Sequence, residues 1–321
     1  MPEALERARQ WLLHEHDRTD SFFSHAPRKG FARGIEFYSG YDLLHIMARS
    51  IGAYASKVGC WPDVITPRKQ TEKLIWMKFF GYLPMPTPAN KLSVRNFIPP
   101  AYEDKIQTAT TLWRSTTPSL PPADAIPPGK YFFKSNNNTR TSFLLDFPLS
   151  AIVAPQLKDR TSRMFQPPAM VSGGEWWYAM MQPEIFVEEV IDVPENISEW
   201  KFHIYNGRCQ LLYDRRGDHR TTDSVTFYDR EFRHIPARFK NRKIGEVLGH
   251  LPQFQLMRDA AEAIARDLLF ARVDFYLTAR GKVYLGEITL CPNNACQYYS
   301  EPGFDVRIGE AWDHIAQYRV D

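Results

Sequence analysis

Asp274 and Glu287 stand on two short β-like runs, ARVDFYLT and VYLGEIT, separated by Ala279-Arg280-Gly281-Lys282. A turn centred on Arg280-Gly281 sets Asp274 directly opposite Glu287, with Cβ atoms roughly 5 Å apart. Carboxylates facing each other across a ladder destabilise it and raise one another's pKa, so a cation belongs between them. A divalent ion is one solution. Mg²⁺ takes one or two protein carboxylates and completes its shell with water and substrate phosphates. Thr289, two residues beyond Glu287, points to the same face and could supply a further oxygen. Pairing of the two acids with arginines such as Arg272 or Arg280 is the other solution, and spacing alone leaves both open.

A second group of residues suits anions. Lys134 ends an apolar run, and Ser135, Asn136, Asn137, Asn138, Thr139, Arg140 and Thr141 follow it, all small and polar or cationic. Such a segment can offer backbone N–H groups, amides and a guanidinium to phosphate oxygens. An ordinary solvated turn after a strand-terminal lysine is the other reading, and the segment alone favours it. The run IFVEEVI sets Glu188 beside Glu189, and because alternate strand residues face opposite sides, one of the two acids occupies an unusual environment. Lys201, Arg215 and Arg216 are further candidates for phosphate contact, and Arg215, Arg216, His219 and Arg220 form a basic cluster suited to an anionic substrate or to a solvated loop.

The elements that must position these residues follow from periodicity. Apolar spacing predicts helices over Ala4–His16, Tyr41–Tyr54 and Phe254–Phe270. Strands are predicted at 131–134, 142–147, 184–191, 199–205 and 209–214. Asn206-Gly207 between the last two is a strong hairpin signal that puts Lys201, His203 and Tyr205 on one face. A stretch rich in proline, from Pro84 to Pro128, excludes continuous helix and central strand and is expected to wrap the surface.

Composition excludes several classes. With 321 residues, 44% of them hydrophobic, the chain exceeds a comfortable single core. The expected division is a mainly helical region over 1–100, a central unit over 101–190 and a C-terminal unit over 191–321. A net charge of +3, with dispersed lysines and arginines, indicates no nucleic-acid footprint. No window has the apolar length of a membrane span, the N-terminal residues carry charges throughout, and the 4 cysteines follow no metal or disulfide spacing. A cytoplasmic protein with reduced thiols is expected; the sequence assigns no oligomeric state.

Taken in order, YFFKSNNNTR, FVEEVI, EWKFHIYNGR, RVDFY and GEIT resemble the ATP-grasp superfamily, in particular its TupA-like branch, named for teichuronopeptide biosynthesis. The resemblance implies an α+β ATP-grasp fold, two α+β subdomains clasping ATP, with an additional helical N-terminal region. It also implies that Lys134 contacts the α- and β-phosphates, aided by Ser135, Asn136, Asn138, Arg140 and Lys201. Glu188 would hold adenine with the backbone of Glu189, Val190 and Ile191. Asp274, Glu287 and Thr289 would bind Mg²⁺ or, in its place, Mn²⁺, while Arg272, Lys201 and Arg215 would act in catalysis. The chain departs from the branch in lacking glycine between Ser135 and Thr141, in bearing Glu199 where the branch has Asp, and in continuing as Cys291-Pro292-Asn293-Asn294-Ala295 where a glycine-bearing turn is usual.

The reaction implied is ATP-dependent ligation of a carboxylate to an amine through an acyl phosphate, on small-molecule, saccharide or peptide substrates. Cell-envelope polysaccharide and peptidic natural-product pathways are both compatible with it. Phosphoryl transfer to a hydroxyl is the alternative reading, and non-catalytic nucleotide binding a third.

Overall fold

The computed structural model describes residues 2–18, 22–26, 28–38, 40–139, 141–194, 199–217 and 224–319. Two of the predicted helices form near the N-terminus, α1 (Pro2–Asp17) and α2 (Gly40–Val58). Ala4, Ala8 and Trp11 recur at helical spacing on the buried face of α1. Between α2 and the proline-rich stretch lies α3 (Gln70–Phe80), which periodicity does not reveal because all of its residues are buried. Glu72 accepts from the N–H groups of Arg68 and Lys69 at 3.2 and 3.0 Å and so satisfies donors at its start. The Lys73 ammonium donates to the carbonyls of Gly309 and Trp312, each at 2.7 Å, which ties α3 to the end of the chain.

The smaller sheet comprises β1 (Thr111–Ser115), β2 (Gly129–Ser135), β3 (Phe143–Phe147) and β4 (Ile185–Glu189), with α4 (Val153–Met164) between β3 and β4 in the chain. Its order is β1-β4-β2-β3, antiparallel throughout. The proline-rich stretch supplies β1, and it does so at the edge, where one side of the strand needs no ladder bonds. Phe133, Phe147, Leu157, Met164, Ile185 and Val187 make a small separate core beneath it.

The larger sheet is built on β5 (Glu199–Tyr205), β6 (Arg208–Arg216), β7 (Ser224–Tyr228), β8 (Phe270–Leu277) and β9 (Val283–Thr289), in the order β7-β6-β5-β8-β9, all antiparallel. Short two-residue strands extend both edges, including Ile106–Gln107 beside β9. Asn206 and Gly207, at φ 46° and 74°, make the tight β5–β6 turn that their sequence predicts. Across β5, β6 and β8 packs α5 (Phe254–Ile264), through Met257, Ala260, Ala261 and Ile264. The last helix, α6 (Phe304–Glu310), contacts α3.

Trp11, Phe79, Trp200, Phe275 and Trp312 belong to one continuous core, so the N-terminal helices and the larger sheet share their apolar interior. The 4 cysteines are free thiols. No described helix is long and apolar enough to cross a membrane.

Candidate functional site

The β8–β9 hairpin places Asp274 opposite Glu287, as the spacing predicts, by a route the spacing does not show. Leu277 pairs with Val283, leaving Thr278–Lys282 as a five-residue loop, one longer than the predicted turn. Gly286 is then an extra residue between the pairs Phe275–Leu285 and Asp274–Glu287, and this bulge restores the register. A β-carbon at Gly286 would stand 2.5 Å from the ring of Tyr276, whose hydroxyl donates to Glu199 Oε1 at 3.0 Å. Gly286→Ala is therefore expected to swing Tyr276 off Glu199. The expected cost is about 1–3 kcal/mol of stability, read from the midpoint of urea unfolding. An unchanged midpoint would show that the ring has room to move.

The cation between the acids is Arg272. Its Nε donates to Asp274 Oδ1 at 2.7 Å, and its Nη2 reaches Asp274 Oδ2, Glu287 Oε1 and Thr289 Oγ1 at 2.6, 2.8 and 3.0 Å. Arg280, the other arginine considered, instead lines a separate cavity at the hairpin turn. The neighbouring strand adds Lys201, whose ammonium bonds Asp274 and lies 3.0 Å from Glu199 Oε2; Arg215 reaches that same oxygen at 3.1 Å. The alternating charges form one chain from Glu287 to Arg215.

Burial divides the acids. Asp274 is 1% exposed, and desolvation pushes its carboxyl up to about 6 in spite of Arg272 and Lys201. Glu287 opens into a cleft with 37% of its side chain exposed. Desolvation acts on it too, but Arg272, Lys201 and Lys91 outweigh it and hold the carboxyl at about 2. Lys201 and Arg215 likewise hold Glu199 well below the usual carboxylate range against its burial. His203, on the same face as Lys201, is kept neutral by burial and by Arg272 and Lys201 nearby.

A cleft of about 320 Å³ takes in Lys91, Lys134, Glu188, Ile191, Tyr276 and Gly286. Lys134 is ion-paired to Glu188 across β2 and β4. Glu188 is thus the acid in the unusual environment. Glu189 turns away and accepts from the N–H and hydroxyl of Thr110 at 2.9 and 3.0 Å. Val190 is exposed.

The polar segment after Lys134 is only partly available to a ligand. The Asn136 amide is engaged internally, donating to Gln182 O at 3.0 Å and accepting from Glu184 N at 2.9 Å, so it anchors the segment instead of facing a phosphate. Ser135 Oγ shares a hydrogen bond with Thr141 Oγ1 at 3.0 Å. The carbonyl of Asn138 accepts from Lys91 at 2.7 Å. Arg140, His219 and Arg220 lie outside the described residues. Arg216 donates to Asp214 at 2.9 Å and to the Glu246 carbonyl at 2.5 Å, which marks it as structural.

A second cleft, of about 680 Å³, is lined by Glu199, Lys201, Arg215, Arg272 and Glu287 together with Lys57, Asn293 and Tyr298. Sequence reasoning missed Lys57 and Lys91, which reach these clefts from the first hundred residues, and Lys78, which supports the segment after β9. Lys78 is fully buried; it bonds Ser50 and donates to Gly173 O at 2.9 Å and Asn294 Oδ1 at 2.8 Å. It thereby fixes the segment after β9, where Asn293, Asn294 and Ala295 all take positive φ of 55°, 53° and 63°. Asparagine tolerates that conformation better than other non-glycine residues, so this stretch makes the turn for which a glycine would be usual.

Among known families, the TupA-like ATP-grasp family matches residues 153–313, half of the chain. The chain belongs to the TupA-like ATP-grasp family. Its fold is the α+β ATP-grasp fold with an added helical N-terminal region. The matched range holds Glu188, Lys201, Arg272, Asp274 and Glu287, and leaves Lys134 and its polar segment outside. No curated protein matches the chain. Similar solved structures include the D-alanine–D-alanine ligase of Bacillus anthracis complexed with ATP, 16% identical with a TM-score of 0.38 over 63% of this chain and 56% of that one. The D-alanine–D-alanine ligase of Helicobacter pylori is 12% identical, with a TM-score of 0.41 over 72% and 58%. The ATP-grasp ligase PsnB, complexed with minimal precursor, is 12% identical, with a TM-score of 0.36 over 71% and 60%. The chain thus spans 56–60% of the length of these proteins.

Among the described residues, no group of three or more His, Cys, Asp or Glu is placed to hold a metal. The donors in this ATP-grasp chain suit Mg²⁺ nonetheless, because that ion uses one or two carboxylates and takes its remaining oxygens from water and phosphates. Asp274 and Glu287 are such a pair, with Thr289 Oγ1 beside Glu287 at 3.3 Å.

Proposed function

We propose that this chain is a Mg-ATP-dependent ligase that joins a carboxylate to an amine through an acyl phosphate, releasing ADP and phosphate. The observation that carries the reading is the meeting of the two clefts along β9. The Lys134–Glu188 cleft runs to Gly286, and the cation-lined cleft begins at Glu287. Family membership supports the same reading.

In this reading Lys134 and Lys91 take the phosphates of ATP, and Glu188, with the backbone from Glu189 to Ile191, takes the adenine. Asp274, Glu287 and Thr289 hold Mg²⁺, which when bound offsets phosphate charge. The difficulty of the reaction is electrostatic, since an anionic carboxylate must approach an anionic phosphoryl group. Lys201, Arg215 and Arg272 are held by acids in fixed positions, so they stabilise that approach without reorganising. No protein nucleophile is needed. The thiols of Cys291 and Cys296 are pushed upward by burial, which suits spectators.

The Lys134–Glu188 ion pair must open for a nucleotide to use both partners. Calorimetric titration of Mg-ATP is expected to show binding by the wild type and about tenfold weaker binding by Lys134→Met, equivalent to about 1.4 kcal/mol. A folded wild type that binds no Mg-ATP overturns the proposal. Phosphate release that requires both a carboxylate and an amine separates ligation from transfer to a hydroxyl, which would leave a stable phosphorylated product.

A further inference from the structure

Among the described residues, the lining of the larger cleft carries more cations than acids. Its described lining includes the cations Lys57, Lys201, Arg215, Lys240, Arg242 and Arg272, but only two acids, Glu199 and Glu287. Lys201, Arg215 and Arg272 form the inner wall and are bound to Glu199, Asp274 and Glu287. Lys57 and Lys240 form an outer wall, and they line this cleft and not the Lys134–Glu188 cleft.

The outer wall is built. Lys240 donates its N–H to Tyr298 O at 2.8 Å, its ammonium lies 3.2 Å from Tyr298 Oη, and it stacks over that ring at 4.4 Å. Arg238 holds the same turn from beneath, donating to Lys240 O at 3.1 Å and to Arg242 O at 2.7 Å. Phe239 bridges to Tyr299, which is buried against Gln70 of α3 through a 2.8 Å hydrogen bond. Lys57 comes from the last turn of α2. A turn anchored this way presents its charges without first being ordered by ligand, which lowers the cost of binding.

We propose that Lys57 and Lys240 select an acceptor that carries a second anionic group besides the carboxylate that reacts: a dicarboxylate, free or as the acidic side chains of a peptide. The inference rests on the ligase reading. The inner cations serve the reacting carboxylate and the γ-phosphoryl group, and the outer ones meet the second charge.

The test uses the full chain saturated with Mg-AMPPNP, titrated at 150 mM salt with glutarate and butyrate, and with tri-L-glutamate and tri-L-glutamine. In the wild type the acidic member of a pair is expected to bind about tenfold more tightly than its less acidic partner. Lys57→Gln/Lys240→Gln is expected to reduce that ratio to threefold or less while leaving Mg-AMPPNP affinity unchanged. A preference confined to glutarate assigns a small dicarboxylate, and one confined to tri-L-glutamate assigns a peptide. Equal binding within each pair, a preference that survives in the double variant, or no acid binding to the nucleotide-loaded protein overturns the inference and leaves the nucleotide site standing. Failure of Mg-AMPPNP to bind overturns the ligase reading and this inference with it.

Discussion

Glu287→Gln is expected to abolish most of the gain in ATP affinity that Mg²⁺ brings, with little loss of fold. Glu287 is the more exposed acid of the pair, and its partner Arg272 keeps both of its bonds to Asp274 in the variant. The cost to folding is therefore of the order of 1 kcal/mol, as for a partly exposed ion pair. The cost to the metal is larger, because a neutral amide replaces one of two anionic oxygen donors. A charged hydrogen-bond or ligand partner contributes about 1.5–3 kcal/mol, so the ratio of ATP affinities with and without Mg²⁺ is expected to fall at least tenfold. ADP release should fall by about 10²–10³, the usual effect of removing one preorganised charge-stabilising group. Titrations of ATP in magnesium and in EDTA, on both proteins, decide it. An unchanged magnesium dependence would mean that the opposed acids serve only to seat Arg272.

That balance between seating an arginine and binding a metal marks where sequence reading ran out. The opposition of Asp274 and Glu287 was legible because a hairpin is local, and a cation between them followed from electrostatics alone. That the cation present is Arg272, two residues along the same strand from Asp274, depends on a side-chain conformation no spacing reveals. Even the register was right through two unseen offsets, a longer loop and the Gly286 bulge, which cancel at the acids.

Other elements were hidden for physical reasons. A helix buried on every side has no polar stripe, which is why Gln70–Phe80 shows no helical period although it carries Lys73 and Lys78, two buried cations that tie distant segments together. The polar character of Ser135–Thr141 allowed a ligand loop or a solvated turn, and Asn136 spends its amide on neighbouring backbone. Lys57 and Lys91 reach the clefts only through tertiary packing, from helix and coil whose local sequence reads as surface.

Arg272→Met is expected to produce the largest loss of stability of any single change at the site, and magnesium is expected to restore part of it. The methionine matches the stem but removes the charge that separates two facing carboxylates. Asp274, 1% exposed, loses both of its bonds to the guanidinium and keeps only Lys201, and the more exposed Glu287 loses its guanidinium partner too. Removing one partner from a buried charge network costs about 3–5 kcal/mol, because the remaining charge stays desolvated. In the wild type Arg272 already neutralises the pair, so a divalent ion without nucleotide has little to gain there. In the variant the same ion would meet two opposed carboxylates with less cationic competition, and ligand binding to the native state raises stability by mass action. Urea unfolding in EDTA and in millimolar MgCl₂ should therefore show a clearly larger magnesium response for Arg272→Met than for the wild type. Equal responses would mean that the space between Asp274 and Glu287 admits a guanidinium and no metal. The two carboxylates would then hold an arginine for the substrate, and any metal would have to be carried in on the nucleotide phosphates alone.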